Sequence, residues 1–264
     1  MSLLATRRRQ IVLQANLEVR DMGVYFNPSN ESFTSDKIKT FINNNYFTNQ
    51  MVISIVSSTK ADKWFRLCEK YFGFQTQKID NRKRNKAQVQ YGIEKKYNIG
   101  TASYGYKSEK KAAFSLLNNM LGGWAMNSYL NMHIREKYGF TYTIESNYTA
   151  YSDVGVFAIY AGTDKKYMDK TIKLINKELD YFTQNLLPEK TLQKFKQQMK
   201  GQLAISCDSN QNEMLSIGKM LLNFGKVDTL QDTYSMIDEI TSKQILECAQ
   251  EVFKQENLSM IRYE

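Results

Sequence analysis

Residues 116–130 read Leu-Leu-Asn-Asn-Met-Leu-Gly-Gly-Trp-Ala-Met-Asn-Ser-Tyr-Leu, residues 135–142 read Arg-Glu-Lys-Tyr-Gly-Phe-Thr-Tyr, and residues 151–163 read Tyr-Ser-Asp-Val-Gly-Val-Phe-Ala-Ile-Tyr-Ala-Gly-Thr. Ala113, Leu116, Leu117, Met120 and Leu121 step by three and four, which predicts a helix opened at Ser108 and stopped by Gly122-Gly123. A shorter helix from about Ser128 to Tyr138 closes at Gly139. Thr141 to Tyr148, the turn-like Ser152-Asp153 and Val154 to Ala161 then predict a β-hairpin. Helices followed by strands joined through a tight turn call for an antiparallel sheet flanked by helices, an α+β fold.

Working outward, Ile172, Ile175, Leu179 and Phe182 predict a long helix. Pro188 starts the next, on which Leu192, Phe195, Met199 and Leu203 share a face. Two or three further helices fill 210–254, and Leu258 to Tyr263 reads as a last strand. On the N-terminal side, tyrosine-rich strands are expected at 88–94 and 99–106. A helix capped by Ser35 carries Ile38, Phe41, Ile42 and Tyr46 on one face, before a strand-like run from Met51 to Val56. Ala61, Trp64, Phe65, Cys68, Tyr71 and Phe72 form another helical stripe, ending at Gly73. Lys78, Arg82, Lys83, Arg84 and Lys86 make 74–87 a basic linker and a domain boundary.

One segment of the chain matches another, as an internal repeat or as a chance likeness of two short helix–strand units. Phe33-Thr34-Ser35 with Ile38, Phe41, Ile42, Tyr46, Gln50 and Met51 matches Ile240-Thr241-Ser242 with Ile245, Cys248, Ala249, Phe253, Asn257 and Leu258, at a constant offset of 207 residues. Both segments are a Thr-Ser cap, an amphipathic helix and a closing strand. By this match residues 74–264 are one whole copy of a unit, the linker 74–87 leading into a complete domain over 88–264, and residues 1–73 are an N-terminal arm plus the tail of a preceding copy.

Composition narrows the chemistry. The 264 residues include 36 Lys+Arg against 27 Asp+Glu, one histidine and three cysteines. No apolar run approaches the ~18–20 residues of a spanning helix, and Gln10, Gln14, Asn16 and Glu18 interrupt any signal-peptide core. Cys68, Cys207 and Cys248 lie outside any CxxC spacing and read as free thiols in a reducing compartment, which places the chain in the cytoplasm. The single histidine, His133, leaves no room for a histidine-based zinc site within this chain, because such sites take two or three imidazoles.

The segment Leu116–Thr163 resembles the pitrilysin/insulinase class of zinc peptidases, in the branch of processing-peptidase-like proteins. The glycine-ended helix, Arg135-Glu136-Lys137 followed by Gly139 and Tyr142, and the aromatic strand ending Ala161-Gly162-Thr163 carry the likeness. It extends over 74–264, including Lys200-Gly201-Gln202-Leu203 and Gly218-Lys219, while 33–73 resembles the end of that family's preceding domain. The resemblance implies two homologous α+β domains facing each other, the first bearing an HxxEH zinc motif and the second metal-free. No HxxEH occurs here, so the chain is similar to the second domain, with the tail of the zinc-type one ahead of it. No cofactor is then expected in this chain. Zinc belongs to a partner domain or subunit, in a homo- or heterodimeric assembly or on a neighbouring domain, and the substrate is a peptide or unfolded polypeptide.

The family's metal-free domain contributes an Arg and a Tyr seven residues apart, a spacing that Arg135 and Tyr142 reproduce. A guanidinium fork and a phenol could both donate hydrogen bonds to a substrate carbonyl. On the residues alone, Arg135 could equally serve its helix C-terminus and Tyr142 pack as a strand residue.

Other candidates carry less. His133 reads as a packed or surface helical residue, and Gly122-Gly123 follows a helix, so it lacks the strand–loop–helix order of a phosphate loop. The carboxylates Glu178/Asp180 and Asp238/Glu239 read as solvated faces. A non-enzymatic peptide-binding or scaffold subunit is the alternative function. A nucleic-acid-binding module ranks lower, because Lys107, Lys110, Lys111, Lys165, Lys166, Lys170 and Lys173 are dispersed over several segments.

Overall fold

The computed structural model describes residues 14–15, 34–46, 51–73 and 98–261. In chain order these form β1 (Gln14–Ala15), α1 (Ser35–Asn45), β2 (Met51–Val52), α2 (Ala61–Phe72), β3 (Asn98–Ser103), α3 (Lys111–Gly122), a π-helical turn (Asn131–Glu136), β4 (Thr141–Ala150), β5 (Gly155–Thr163), α4 (Met168–Gln184), α5 (Glu189–Cys207), α6 (Asn210–Phe224), α7 (Leu230–Asp238), α8 (Ser242–Val252) and β6 (Ser259–Ile261). The basic linker read at 74–87, the strand read at 88–94 and all of residues 1–32 except Gln14 and Ala15 lie outside the described residues. Two compact units make up the chain: residues 1–91 with 205–228, and residues 92–204 with 229–264.

The second unit holds a fully antiparallel four-stranded sheet of order β4-β5-β3-β6. Its core is the face of α3 that the sequence marks. Phe114, Leu116, Leu117, Met120 and Leu121 are all fully buried, with Leu179 and Phe182 of α4, Leu192 of α5, and Ile245 and Ala249 of α8 joining them. Phe114 is the hub of the aromatic packing, edge-on to Tyr104, Tyr148 and Phe157 at centroid separations of 5.5, 4.8 and 5.6 Å. Edge-to-face geometry sets the positive rim of one ring against the negative face of another. Gly122 lets the end of α3 lie on β4, since a Cβ there would come within 2.6 Å of the Ser146 backbone nitrogen.

Element ends follow local chemistry, with small shifts from the sequence reading. Thr34, rather than Ser35, caps α1, its hydroxyl accepting from the Lys37 amide at 3.3 Å. Thr241 caps α8 in a full capping box with Gln244. Ser108 makes the turn that precedes α3 instead of its first residue, and Pro188 stands one residue ahead of α5. The helix before Gly139 is wound as a π-turn over Asn131–Glu136, a local widening that sequence periodicity does not announce.

In the first unit, β1 pairs antiparallel with β2, and the Ser54 hydroxyl donates to the Met214 carbonyl of α6 at 2.9 Å. Ile55 and Met214 are buried. The two apolar helical stripes read from the sequence form here as α1 and α2, and their faces are largely open. Ile38, Phe41 and Ile42 of α1 are 49%, 42% and 46% exposed, and Phe65 and Tyr71 of α2 are exposed as well. The matching positions of α8, Ile245, Cys248 and Ala249, are 1%, 1% and 0% exposed because α8 packs on α3 and α4. Among the described residues no helix is long and apolar enough to cross a membrane.

Candidate substrate-contact site

Three pieces of the second unit converge on one cavity of about 220 Å³. The loop after α3 supplies Gly123, Trp124 and Met126, the π-turn supplies Asn131 and Arg135, and the start of β4 supplies Tyr142 to Glu145. Gly139 makes the reversal between π-turn and strand, with φ of +64° and its amide donating to the Arg135 carbonyl at 2.9 Å. That left-handed conformation suits glycine, and a Cβ there would meet no neighbour within 4 Å. Gly139→Ala is therefore expected to cost about 1–2 kcal/mol of backbone strain and nothing in packing, a loss to be read from urea unfolding.

Arg135 and Tyr142, seven residues apart in sequence, thus share the cavity wall. Arg135 is half-buried, and among the described residues no carboxylate forms an ion pair with its guanidinium. Its five N–H donors stand ready for an acceptor entering the cavity. Tyr142 is 71% exposed, and its hydroxyl donates to Asp164 Oδ1 at 2.9 Å. That hydrogen bond, together with the adjacent carboxylate charge, raises the phenol above its ordinary range, since ionisation would set a phenolate against a carboxylate. Asp164→Asn is expected to bring the Tyr142 titration back down, visible as an earlier rise of tyrosinate absorbance with pH. No change would mean that the contact does not hold in solution.

Trp124, Met126, Asn131 and Glu145 are wall residues that sequence reasoning did not single out. The side chain of Trp124 is 93% exposed and that of Met126 60%, an apolar lip beside the donor pair. An exposed tryptophan next to a glycine stop was the available signal, but Gly122-Gly123 read only as a helix end. Asn131 is buried and donates to Ser128 Oγ at 2.8 Å, which fixes the π-turn at its start.

His133 lies two residues before Arg135 yet serves packing. Its Nδ1 is 3.0 Å from Glu178 Oε2 of α4, and its ring sits edge-on to Tyr129 at 5.2 Å. Glu178 departs from the solvated role expected for it: its place on α4 is buried, with His133 as partner. Asp238 pairs with Lys200. Burial raises the thiol of Cys248 to about 11 and lifts that of Cys68 too, so neither is a ready nucleophile. Among the described residues no three His, Cys, Asp or Glu side chains converge to hold a metal ion.

Residues 32–199 match the family model described as the peptidase M16 inactive domain. The uncharacterized zinc protease YmxG of Bacillus subtilis is 27% identical over 241 residues, covering 85% of this chain and 56% of that protein. A zinc protease of Rickettsia felis is 27% identical, covering 87% of this chain and 57% of that one. The chain thus spans little more than half the length of these curated relatives. Among solved structures, a peptidase M16 inactive domain from Pseudomonas fluorescens superposes with a TM-score of 0.73 at 20% identity, over 87% of this chain and 57% of that one. A protease from Helicobacter pylori gives 0.71 at 17% identity, over 87% and 58%. These two likenesses show the fold.

Proposed function

The chain belongs to the family of peptidase M16 inactive domains, and from that membership we propose that it is the metal-free half of a zinc metallopeptidase. In this reading it binds peptide or unfolded polypeptide and orients a substrate carbonyl toward a zinc site on another domain or subunit. The observation that carries the proposal is the sharing of one cavity by Arg135 and Tyr142.

The cavity is smaller than the ~300–1,000 Å³ of pockets that enclose drug-sized ligands, and suits one side chain or a stretch of backbone. A carbonyl oxygen reaching the wall could accept from the Arg135 fork. Tyr142 would add a second donor once its hydroxyl turns from Asp164. Trp124 and Met126 would keep water from one side of the peptide, strengthening those hydrogen bonds. The metal would supply Lewis-acid chemistry from the other half.

We read residues 1–73 as an arm and the tail of a preceding homologous domain. Support comes from the contrast between α8, whose apolar face is covered, and α1, whose matching face is open at the same 207-residue offset. Mixing the chain with a partner bearing an HxxEH motif tests the proposal. Peptide turnover should arise in the mixture and be missing from either component alone. A partner fully active by itself, and indifferent to this chain, would refute it.

One observation favours a second reading, a scaffold subunit in which the pair does no chemistry. The Tyr142 hydroxyl already has an acceptor in Asp164. In that case Tyr142→Phe in the mixture leaves turnover unchanged.

A further inference from the structure

Beside the donor pair stands a cluster the proposed function does not use. Phe140 is stacked on Tyr138 at 5.2 Å and on Tyr167 at 4.7 Å, with interplanar angles of 21° and 16°. Over these rings lie three ammonium groups: Lys137 at 5.4 Å from Tyr138, Lys166 at 4.7 Å from Tyr167, and Lys170 at 5.9 Å from Phe140. All three lysines are exposed. The ladder is built into the same frame as the cavity. Phe140 follows Gly139, its carbonyl accepts from the Thr163 hydroxyl, and Asp164, the acceptor of Tyr142, immediately precedes the turn that carries Lys166 and Tyr167.

We propose that this lysine-faced aromatic ladder is a subsite for acidic side chains of the peptide, so that the substrate class is anionic polypeptide; this rests on the peptide-binding reading above. Every ring already has a neighbour over it, a second ring or an ammonium or both, so stacking on a nucleobase has little open surface to use. What the ladder offers to solvent is positive charge. An ammonium settled over a ring face has surrendered part of its rotamer freedom and loses less on meeting a carboxylate. A peptide with its carbonyl at Arg135 and Tyr142 would run past the ladder within a few residues.

Fluorescence anisotropy of the whole chain can test this with three labelled probes of equal length: a Glu/Asp-rich peptide, its Gln/Asn counterpart and an oligothymidylate. The acidic peptide is expected to bind at least about tenfold more tightly than the amide peptide at low salt, with the preference shrinking as salt screens it. Lys137→Gln/Lys166→Gln/Lys170→Gln, all surface changes, should abolish that preference and leave amide-peptide binding as it was. Equal binding of both peptides, untouched by the triple variant, would overturn the subsite and leave the peptide reading standing. Tighter, lysine-dependent binding of the oligothymidylate would overturn it in favour of nucleic acid. Binding of neither peptide would overturn the subsite and the peptide reading together.

Discussion

Arg135→Ala, or Tyr142→Phe, in a complex reconstituted with a zinc-bearing HxxEH partner is expected to lower peptide turnover by about 10²-fold or more. The size follows from what the residues would do. Hydrogen-bond donors aimed at a carbonyl matter most as its oxygen gains negative charge, and their loss falls on turnover more than on substrate affinity. Both side chains lie on the wall of one cavity and neither is part of the buried core, so folding is spared. The checks are steady-state kinetics with a quenched fluorescent peptide, and urea unfolding of each variant to show unchanged stability. Arg135→Lys should rescue only part of the loss, because an ammonium lacks the planar fork. Unchanged turnover in both variants would assign the pair to the scaffold reading.

A second large effect separates two positions that the sequence treats as equivalents. Ile245→Ala is expected to cost about 2–5 kcal/mol, the usual range for emptying a packed core site. Ile38→Ala, at the matching position of α1, should change stability by less than about 0.5 kcal/mol, as exposed sites do. Both helices run eleven residues from a Thr cap, with the same apolar spacing. Only α8 has α3 and α4 over its face. The same Ile38→Ala change should weaken attachment of whatever domain covers α1. Urea unfolding reads the first pair of values, and a binding titration against the partner reads the last. Equal costs at the two positions would show that α1 is already covered in the chain as it stands.

Much of this architecture was legible because it rests on periodicity. The α3 stripe, the hairpin of β4 and β5 and the stop at Gly139 follow from spacing and turn chemistry, and the likeness to the pitrilysin/insulinase class agrees with the family that the chain matches. Arg135 and Tyr142 were singled out by the resemblance, whose metal-free domain carries an Arg and a Tyr seven residues apart, and not by spacing alone. Spacing could not show that the cavity would draw on Trp124 and Asn131 as well, since those residues meet only through the way the α3 loop, the π-turn and β4 come together. The π-turn itself left no trace, because widening a helix by one residue changes hydrogen-bond partners without changing composition. Amphipathic patterning likewise says that a helix has an apolar face, not whether that face is covered. Hence the apolar faces read on α1 and α2 stand largely open, while Glu178, counted as solvated, is buried against His133.

The most direct test of an incomplete, metal-free half is to give the purified chain zinc and an unfolded peptide substrate with no partner present. The expected result is no stoichiometric zinc uptake by calorimetry and no cleavage of the peptide, with turnover arising only when the HxxEH partner is added. Zinc bound one-to-one by this chain's own side chains, with metal-dependent hydrolysis in the partner's absence, would contradict the account.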